Sequence, residues 1–475
     1  MLTKRFKQLL FIITFLLIIV VAILAGSVPY SRTQHFALEF SEPPIRAFIL
    51  HNVTLVDVEN KNTQLDSALL ISNGMISAIG SLQQLAKQYP DILLIDGNAQ
   101  FVTHGLIDAH VHVFDPHDLA LHLSHGITAV RSMAGTPAQL RWQQQQTQAL
   151  LGARLMVMSP ALNAGDDMGP FHIDVDEEDN LSDLVSRLHQ QGYQGLKIYS
   201  GLQPDTVTKI IKQADTLGIP VAGHPNKTIA RTDQAQPQLA SIEHIEELFQ
   251  INLNYQATQA SVSQLAQSLL AQNQIVVGTL VAYDQIYQAS QNYEAFYQTV
   301  NHDYLNSFVS FVGHRQLSDY RHSTPDSGGF TYEAQKQRAL IGITRVLHEH
   351  GVTFAVGTDT GPALTQPGLS FHRELELLAQ AGLSNADILK AATIHGAQLL
   401  NDPLMDGRIQ VDRRADLILT AENPLVNLAT LKEPTAIIFN GQLLSGPTVT
   451  SIRQQGQQHF SFFAQLGWLV EAKFN

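Results

Sequence analysis

The sequence predicts an α/β protein: a (β/α)8 TIM barrel inserted into a small β-sandwich, preceded by an N-terminal transmembrane or signal segment. Three observations predict it. From residue 105 to about 357, apolar runs of four to seven residues alternate with longer stretches of helical period, as parallel strands buried under helices require. β-branched, alternating segments flank that region on both sides, so the barrel would interrupt a β unit made from both ends of the chain. Histidine, lysine and aspartate stand at the ends of the apolar runs, where this kind of barrel carries its active residues.

At 475 residues the chain is long enough for one large domain and a smaller one. Hydrophobic residues make up 44% and charged residues 15%, which excludes global disorder. A net charge of -13 gives no basic footprint for nucleic acid, and membrane attachment would need a dedicated segment. The absence of cysteine excludes disulfides, thiolate metal sites, cysteine nucleophiles and a lipoprotein anchor.

Residues 1–30 supply such a segment. Lys4, Arg5 and Lys7 precede an uncharged apolar run at 9–24, which Ala25 and Gly26 extend. The run is slightly short for a span and slightly long for a cleaved signal peptide, and Ala25-Gly26-Ser27 offers a cleavage site. Both outcomes stand, with an uncleaved anchor preferred. The basic cluster places the N-terminus inside and the body outside the cytoplasm, on the periplasmic side, tethered or secreted. Residues 31–46, ending in S-E-P-P, read as a linker.

Residues 47–104 form the first part of the β-sandwich. They comprise a strand at 47–58, a hairpin over 68–79 turning at Asn73-Gly74, and a strand pair over 92–102 about Asp96-Gly97. Residues 105–404 form the barrel. Its strands are expected at 105–113, Ala129-Val130-Arg131, 155–158, 195–199, 220–223, 240–242, 276–280 and 353–357. Helices are expected at 181–190, 205–217, 262–272, 331–350 and 385–400. The insert at 282–332 reads as a lid, with Asp284, Tyr287, His322 and Asp326 unplaced. Residues 405–448 return to the sandwich through 408–420 and a hairpin over 436–443 at Asn440-Gly441. The aromatic tail, 449–475, reads as a helix packed on the body.

The chemistry starts at G-L-I-D-A-H-V-H-V, residues 105–113. In a strand, His110 and His112 leave the same face, although an isolated pair of this kind is more often an ordinary pair of histidines. Later runs add Lys197 in G-L-K-I-Y, His224 in V-A-G-H-P, His244 in S-I-E-H-I and Asp359 in V-G-T-D-T-G. Imidazoles and a carboxylate suit a divalent ion of the zinc type that leaves a position open for water. Its activated hydroxide would be oriented by Asp359, which accepts the proton and passes it to the leaving group. Lys197 by default snorkels or pairs with a carboxylate. A cation beside a metal needs a reason, and carboxylation by carbon dioxide, giving a carbamate that bridges two metals, is one.

In order and wording these stretches resemble the amidohydrolase superfamily, specifically its imidazolonepropionase-like and Xaa-Pro-dipeptidase-like metal-dependent hydrolases. The resemblance covers about 47–443. It implies metal ligation by His110 and His112 from the first strand, a carboxylatable Lys197 from the fourth, His224 and His244 from the fifth and sixth, and Asp359 from the eighth. It also implies one or two divalent ions per chain, and a flanking β-sandwich formed by both chain ends. Two departures are His104, where the family usually has proline, and Asp412-Arg413-Arg414 in the return segment, where glycine and lysine are typical.

Around this set, Tyr199 lies two residues after Lys197 and is a candidate for the substrate carboxylate, against a packed core tyrosine. His372 and Glu374 are candidates for the substrate mouth, against surface positions on a helix. Arg131 reads as a structural partner under the barrel rim and His395 as a cap or packing residue. His117, His122 and His125 read as non-ligands. The function expected is hydrolysis of a C–N amide bond in a dipeptide or a small cyclic or N-acyl amide. A mononuclear deaminase on the same scaffold, which would not need Lys197, and an inactive membrane-tethered binding protein are the alternatives. Partners would be the small-molecule substrate and, through residues 1–30, the membrane; homo-oligomerisation stays open.

Overall fold

The computed structural model describes residues 4–41, 43–165, 168–176, 180–231 and 237–474; the side chains of 4–12, 15–19, 231 and 474 lie outside it. Both ends of the chain build one seven-stranded sheet. Its strands are β1 (Phe48–Asp57), β2 (Asn62–Ser72), β3 (Met75–Gly80) and β4 (Leu93–His104) from the first segment. Between them lies the barrel: β5 (Leu106–Val111), β6 (Ile127–Ser132), β7 (Arg154–Asn163), β8 (His172–Asp174), β9 (Gly195–Ile198), β10 (Val221–Gly223), β11 (Ser241–Glu243), β12 (Ile275–Val277) and β13 (Thr353–Ala355). The return segment supplies β14 (Leu417–Thr420), β15 (Ala436–Phe439) and β16 (Gln442–Ser445).

The barrel strands are short and pair in parallel in the order β13-β12-β11-β10-β9-β7-β6-β5, with β8 added beside β7. Some of their side chains form two buried clusters, Ala109, Val277 and Ala355 with Leu399, and Ile107, Ala129, Met156, Met158 and Ala222. Alternate ones such as Leu106, Val130 and Leu196 pack with the helices. The ring is drawn shut by the chain just beyond β13. Ala109 N–H donates to the Val356 carbonyl at 2.8 Å and His112 N–H to that of Thr360 at 2.9 Å. Val111 and Thr360 form a parallel bridge there. All eight expected barrel strands are present.

The flanking sheet runs β16-β15-β14-β4-β1-β2-β3. The strand leading into the barrel, β4, pairs antiparallel with the returning β14, Leu417 opposite His104. Thus the two ends are joined as expected. The sheet is hydrogen-bonded along its length and curls until β3 meets the segment before β14, Met75 opposite Arg414, around a core of its own that includes Phe48, Leu69, Ile76, Leu417 and Ile438. The turns at Asn73-Gly74 and Asn440-Gly441 form with positive φ at all four residues. The expected strand pair at 92–102 is instead a single strand. Asp96-Gly97 does not turn, because the register of β1 against β4 shifts between His51 and Val53. Gly97 lies where a Cβ would come within 2.1 Å of Val53 Cγ1, so its glycine serves a close approach at a bulge. The return segment is likewise shorter in strand than expected.

The expected helix at 385–400 forms over 385–398 and widens to a π turn at Ala391–His395, where His395 Nδ1 donates to the Phe354 carbonyl at 2.7 Å. The insert after β12 is helical. Within it Asp284 is buried and bound by Arg373 Nε at 2.9 Å, so this residue secures the insert to the helix Leu369–Gln380.

The expected anchor falls on the helix Lys4–Arg32, and most of its apolar run lies outside the described side chains. Among the described residues no helix is long and apolar enough to cross a membrane. The last turns of that helix pack on the C-terminal helix Phe462–Phe474, which is the docked tail the sequence suggests. A Cβ on Gly467 would lie 2.2 Å from the Ser27 carbonyl oxygen, and the Tyr30 and Phe463 rings are 5.2 Å apart.

Candidate metal centre

The first and last barrel strands supply the tightest cluster. Nε2 of His112 lies 2.9 Å and Nε2 of His110 3.3 Å from the same Asp359 oxygen. One ligand atom from each of the three residues lies within 4.8 Å of the others. Burial alone would push the Asp359 carboxyl up, but hydrogen bonds from the two imidazoles hold it well below the usual range. Burial would lower His110, yet Asp359 and Glu243 raise it instead. Such mutual attraction of imidazolium and carboxylate marks a place suited to positive charge.

Backbone geometry brings the strand ends this close. Gly357 stands where a Cβ would come within 2.4 Å of Val277 Cγ1 and 2.8 Å of His110 Cβ. Asp359, His244 and Thr279 all have positive φ, 54°, 67° and 51°, an uncommon state for such residues that concentrates at functional sites. His244 then sets its ring 4.6 Å from that of His110 and 5.0 Å from that of His224.

Each inner imidazole has its Nδ1 engaged. His110 Nδ1 donates to Glu243 at 2.7 Å, His224 Nδ1 to Glu247 at 3.2 Å, and His244 Nδ1 pairs with Thr279 Oγ1 at 2.7 Å. This leaves Nε2 as the atom turned toward the centre in all three, the usual arrangement behind metal-bound histidines. That of His110 faces Asp359, and that of His224 is unpartnered among the described residues. Glu243 is anchored in turn by Arg131, fully buried, at 2.8 Å; Arg131 Nε also donates to the Ala109 carbonyl at 2.7 Å. Arg131 and His110 outweigh the effect of burial and keep Glu243 ionised. Arg131 is therefore the structural partner the sequence suggested.

His224 Nε2 and Lys197 Nζ are buried without a hydrogen-bond partner among the described residues. Stranding two such groups is costly unless something occupies the space they face. Burial lowers the Lys197 ammonium to about 8, with Glu243 and Asp359 opposing the shift. Its nitrogen lies 5.4 Å from the centre of the Tyr199 ring, which stacks on His224 at 4.0 Å. Unpaired nitrogen donors, Nδ1-locked imidazoles and a low-pKa carboxylate fit a divalent ion.

Of the residues singled out from sequence, His110, His112 and Asp359 meet directly, with the His244 and His224 rings beside them and Lys197 and Tyr199 along the same wall. His372 does not belong to this group. It is buried between helices, its Nε2 donating to the His125 carbonyl at 3.2 Å, and burial lowers its imidazole to about 3. It is a packing residue, not a mouth residue. Glu374 is also internal: its carboxyl accepts from the N–H groups of Leu280 at 3.1 Å and Val281 at 2.7 Å, capping a helix, and burial raises it to about 8.

Sequence reasoning missed Glu243, Glu247, Thr279 and Asp108. Glu243 adjoins His244, and in a regular strand neighbours face opposite ways, so the pair could not both be assigned to one centre. The left-handed turn at His244 lets both reach His110. Asp108 accepts from Thr358 Oγ1 at 2.8 Å and from the His110 N–H at 3.3 Å, tying the first strand to the last below the ligands.

Comparison with known proteins agrees with this geometry. The solved structure of bottromycin amidohydrolase superposes with a TM-score of 0.70 at 22% identity, covering 91% of this chain and 93% of that one. A Xaa-Pro dipeptidase matches with a TM-score of 0.62 at 18% identity, over 84% of this chain and all of the other. Aspergillus niger ochratoxinase matches in structure with a TM-score of 0.63 at 17% identity, over 85% of this chain and 97% of that chain. In sequence, ochratoxinase of Aspergillus niger is 31% identical over 104 residues, and the match spans only 21% of either chain. These likenesses establish the fold. The model of the Amidohydrolase family matches residues 101–444, most of the chain and all of the barrel, and the chain belongs to that family.

Proposed function

We propose that the protein is a metal-dependent hydrolase that cleaves a C–N amide bond in a dipeptide or a small cyclic or N-acyl amide. The observation that carries this is the convergence of His110, His112 and Asp359 within 4.8 Å, beside the unpartnered His224 Nε2 and Lys197 Nζ. The amide-cleaving names of structural neighbours, a Xaa-Pro dipeptidase and bottromycin amidohydrolase, support the substrate class. His110, His112, His224, His244 and Asp359 would hold the ion, with Lys197 joining as its carbamate where two ions bind; zinc suits this donor set. A divalent ion there supplies Lewis acidity, polarising the amide carbonyl and lowering the pKa of a water toward about 7.

The chain's own residues do the rest. Asp359 orients the attacking water, takes its proton and delivers it to the departing nitrogen, so that acid and amine are released. Glu243, Glu247 and Thr279 keep three imidazoles in the Nε2-free tautomer. Tyr199, stacked on His224, would donate from its hydroxyl to the substrate's carboxylate. The basic cluster ahead of the apolar run at 9–24 supports an extracytoplasmic site for this reaction.

The test is a library of dipeptides and N-acyl amino acids assayed with zinc or manganese, alongside metal analysis of purified protein. Amide hydrolysis with close to two ions per chain is expected. A Lys197→Ala variant that retains full activity and metal content would overturn the two-ion assignment, and turnover only of amino-heterocycles would favour deamination.

A further inference from the structure

A second cavity, of about 480 Å3, lies on the far side of the Tyr199 wall. It is bounded by the end of the N-terminal helix, the C-terminal helix and the segment Phe171–Ile173. Among the described residues that line it, Arg32, Arg141, Arg187 and Lys473 are cations and Glu471 is the one acid. Glu471 is buried and shared, accepting from Arg32 at 2.7 Å and from Arg141 at 2.5 Å, so a single carboxylate answers two guanidiniums. Among the described residues its lining is thus locally cationic, on a chain whose net charge is -13. Leu140, Leu188, Pro160 and Ile173 form an apolar strip in the remaining wall, beside His172, Gln191 and Tyr193. A positive rim over an apolar floor is complementary to an anionic headgroup carrying a hydrocarbon tail. The location adds to this: Arg32 is the last residue of the apolar N-terminal helix. His172, on the opposite wall, packs its ring 4.4 Å from Tyr199.

We propose that this cavity binds an amphiphilic anion, the headgroup held by Arg32, Arg141, Arg187 and Lys473 and the tail lying along Leu140, Leu188 and Ile173. The binding does not depend on the hydrolase reading and is measured without turnover. The chain has two tryptophans, Trp142 and Trp468, whose rings meet at 4.9 Å beside Arg141 and Glu471, so intrinsic fluorescence reports on the site.

Full-length protein is titrated with decanoate and with decyl phosphate below micelle formation, with decanol as the neutral control. Saturable fluorescence change with both anions is expected. Affinity should weaken at least about tenfold in the Arg187→Glu, Lys473→Glu double variant, whose exposed positions leave the packing untouched, and fall with added salt. Vesicles of phosphatidylglycerol and of phosphatidylcholine separate the sources. A response to anionic vesicles as well as to free anions assigns the ligand to the bilayer, and a response to free anions alone assigns it to solution. Decanol binding as tightly as decanoate, or undiminished anion binding by the double variant with unchanged circular dichroism, overturns the proposal.

Discussion

In the flanking sheet, left-handed backbone falls largely on residues that adopt it cheaply, such as Asn52, Asn73, Gly74, Asn98, Asn440 and Gly441. At the barrel mouth it falls on His244, Thr279 and Asp359. There β-branched Thr279, and His244 with a ψ of 115°, cost on the order of 1–3 kcal/mol each, while Asp359 adopts its φ about as readily as asparagine does. The cost is sustained by bonds that allow no other arrangement: Asp359 N–H to the His110 carbonyl at 2.8 Å, His244 N–H to the Val277 carbonyl at 2.8 Å, and the His244–Thr279 side-chain pair. The sheet is built for stability and the mouth for the placement of ligand atoms, with the surrounding fold absorbing the difference.

Exchanging Asp359 for asparagine attacks that contrast most directly. Activity should fall about a thousandfold or more, since the proton carrier is lost. The thermal midpoint of the metal-stripped variant should fall by several degrees, because the ionised carboxylate that His110 and His112 bind is lost while asparagine adopts φ near 54° no more easily than aspartate. An unchanged midpoint would mean that the carboxylate is not paired with these imidazoles in the folded protein.

Glu243→Gln tests the support rather than the strain. It leaves the buried Arg131 guanidinium without its charged partner, a loss of about 3–5 kcal/mol, and frees the His110 ring. Metal affinity should drop roughly 10- to 100-fold, read by competition with a chromogenic chelator. Affinity equal to wild type would show that the His110 tautomer needs no such partner. The smallest effect belongs to the sheet. Asn73→Ala should cost about 1 kcal/mol in denaturant unfolding and leave turnover unchanged. A change in turnover would mean that sheet and mouth are coupled.

The barrel was legible because its signals are local: apolar runs at regular spacing, Asn-Gly turns, and ligands at the ends of runs. His110, His112, Lys197, His224, His244 and Asp359 could be singled out for the same reason, and the structure brings them to one mouth of the barrel. What stayed hidden depends on backbone departures that no pattern of residue types records. Asp96-Gly97 has the letters of a turn but marks a bulge, because what matters is the approach of Val53 to Gly97. Glu243 was obscured by the alternation rule that His244 breaks. His372 had the right residue type and position along the chain, but which face of its helix meets the His125 carbonyl is settled by tertiary packing. The cationic cavity unites Arg32, Arg141, Arg187 and Lys473 from four distant segments, which no local window could join.

The barrel's seam, where Val111 meets Thr360, coincides with the meeting of His110, His112 and Asp359. An ion gripped there would act as a rivet across the last stave to be fitted. Until the chain has emerged past Asp359 no nascent fragment can hold this trio, so under the proposed function competence would arrive together with closure.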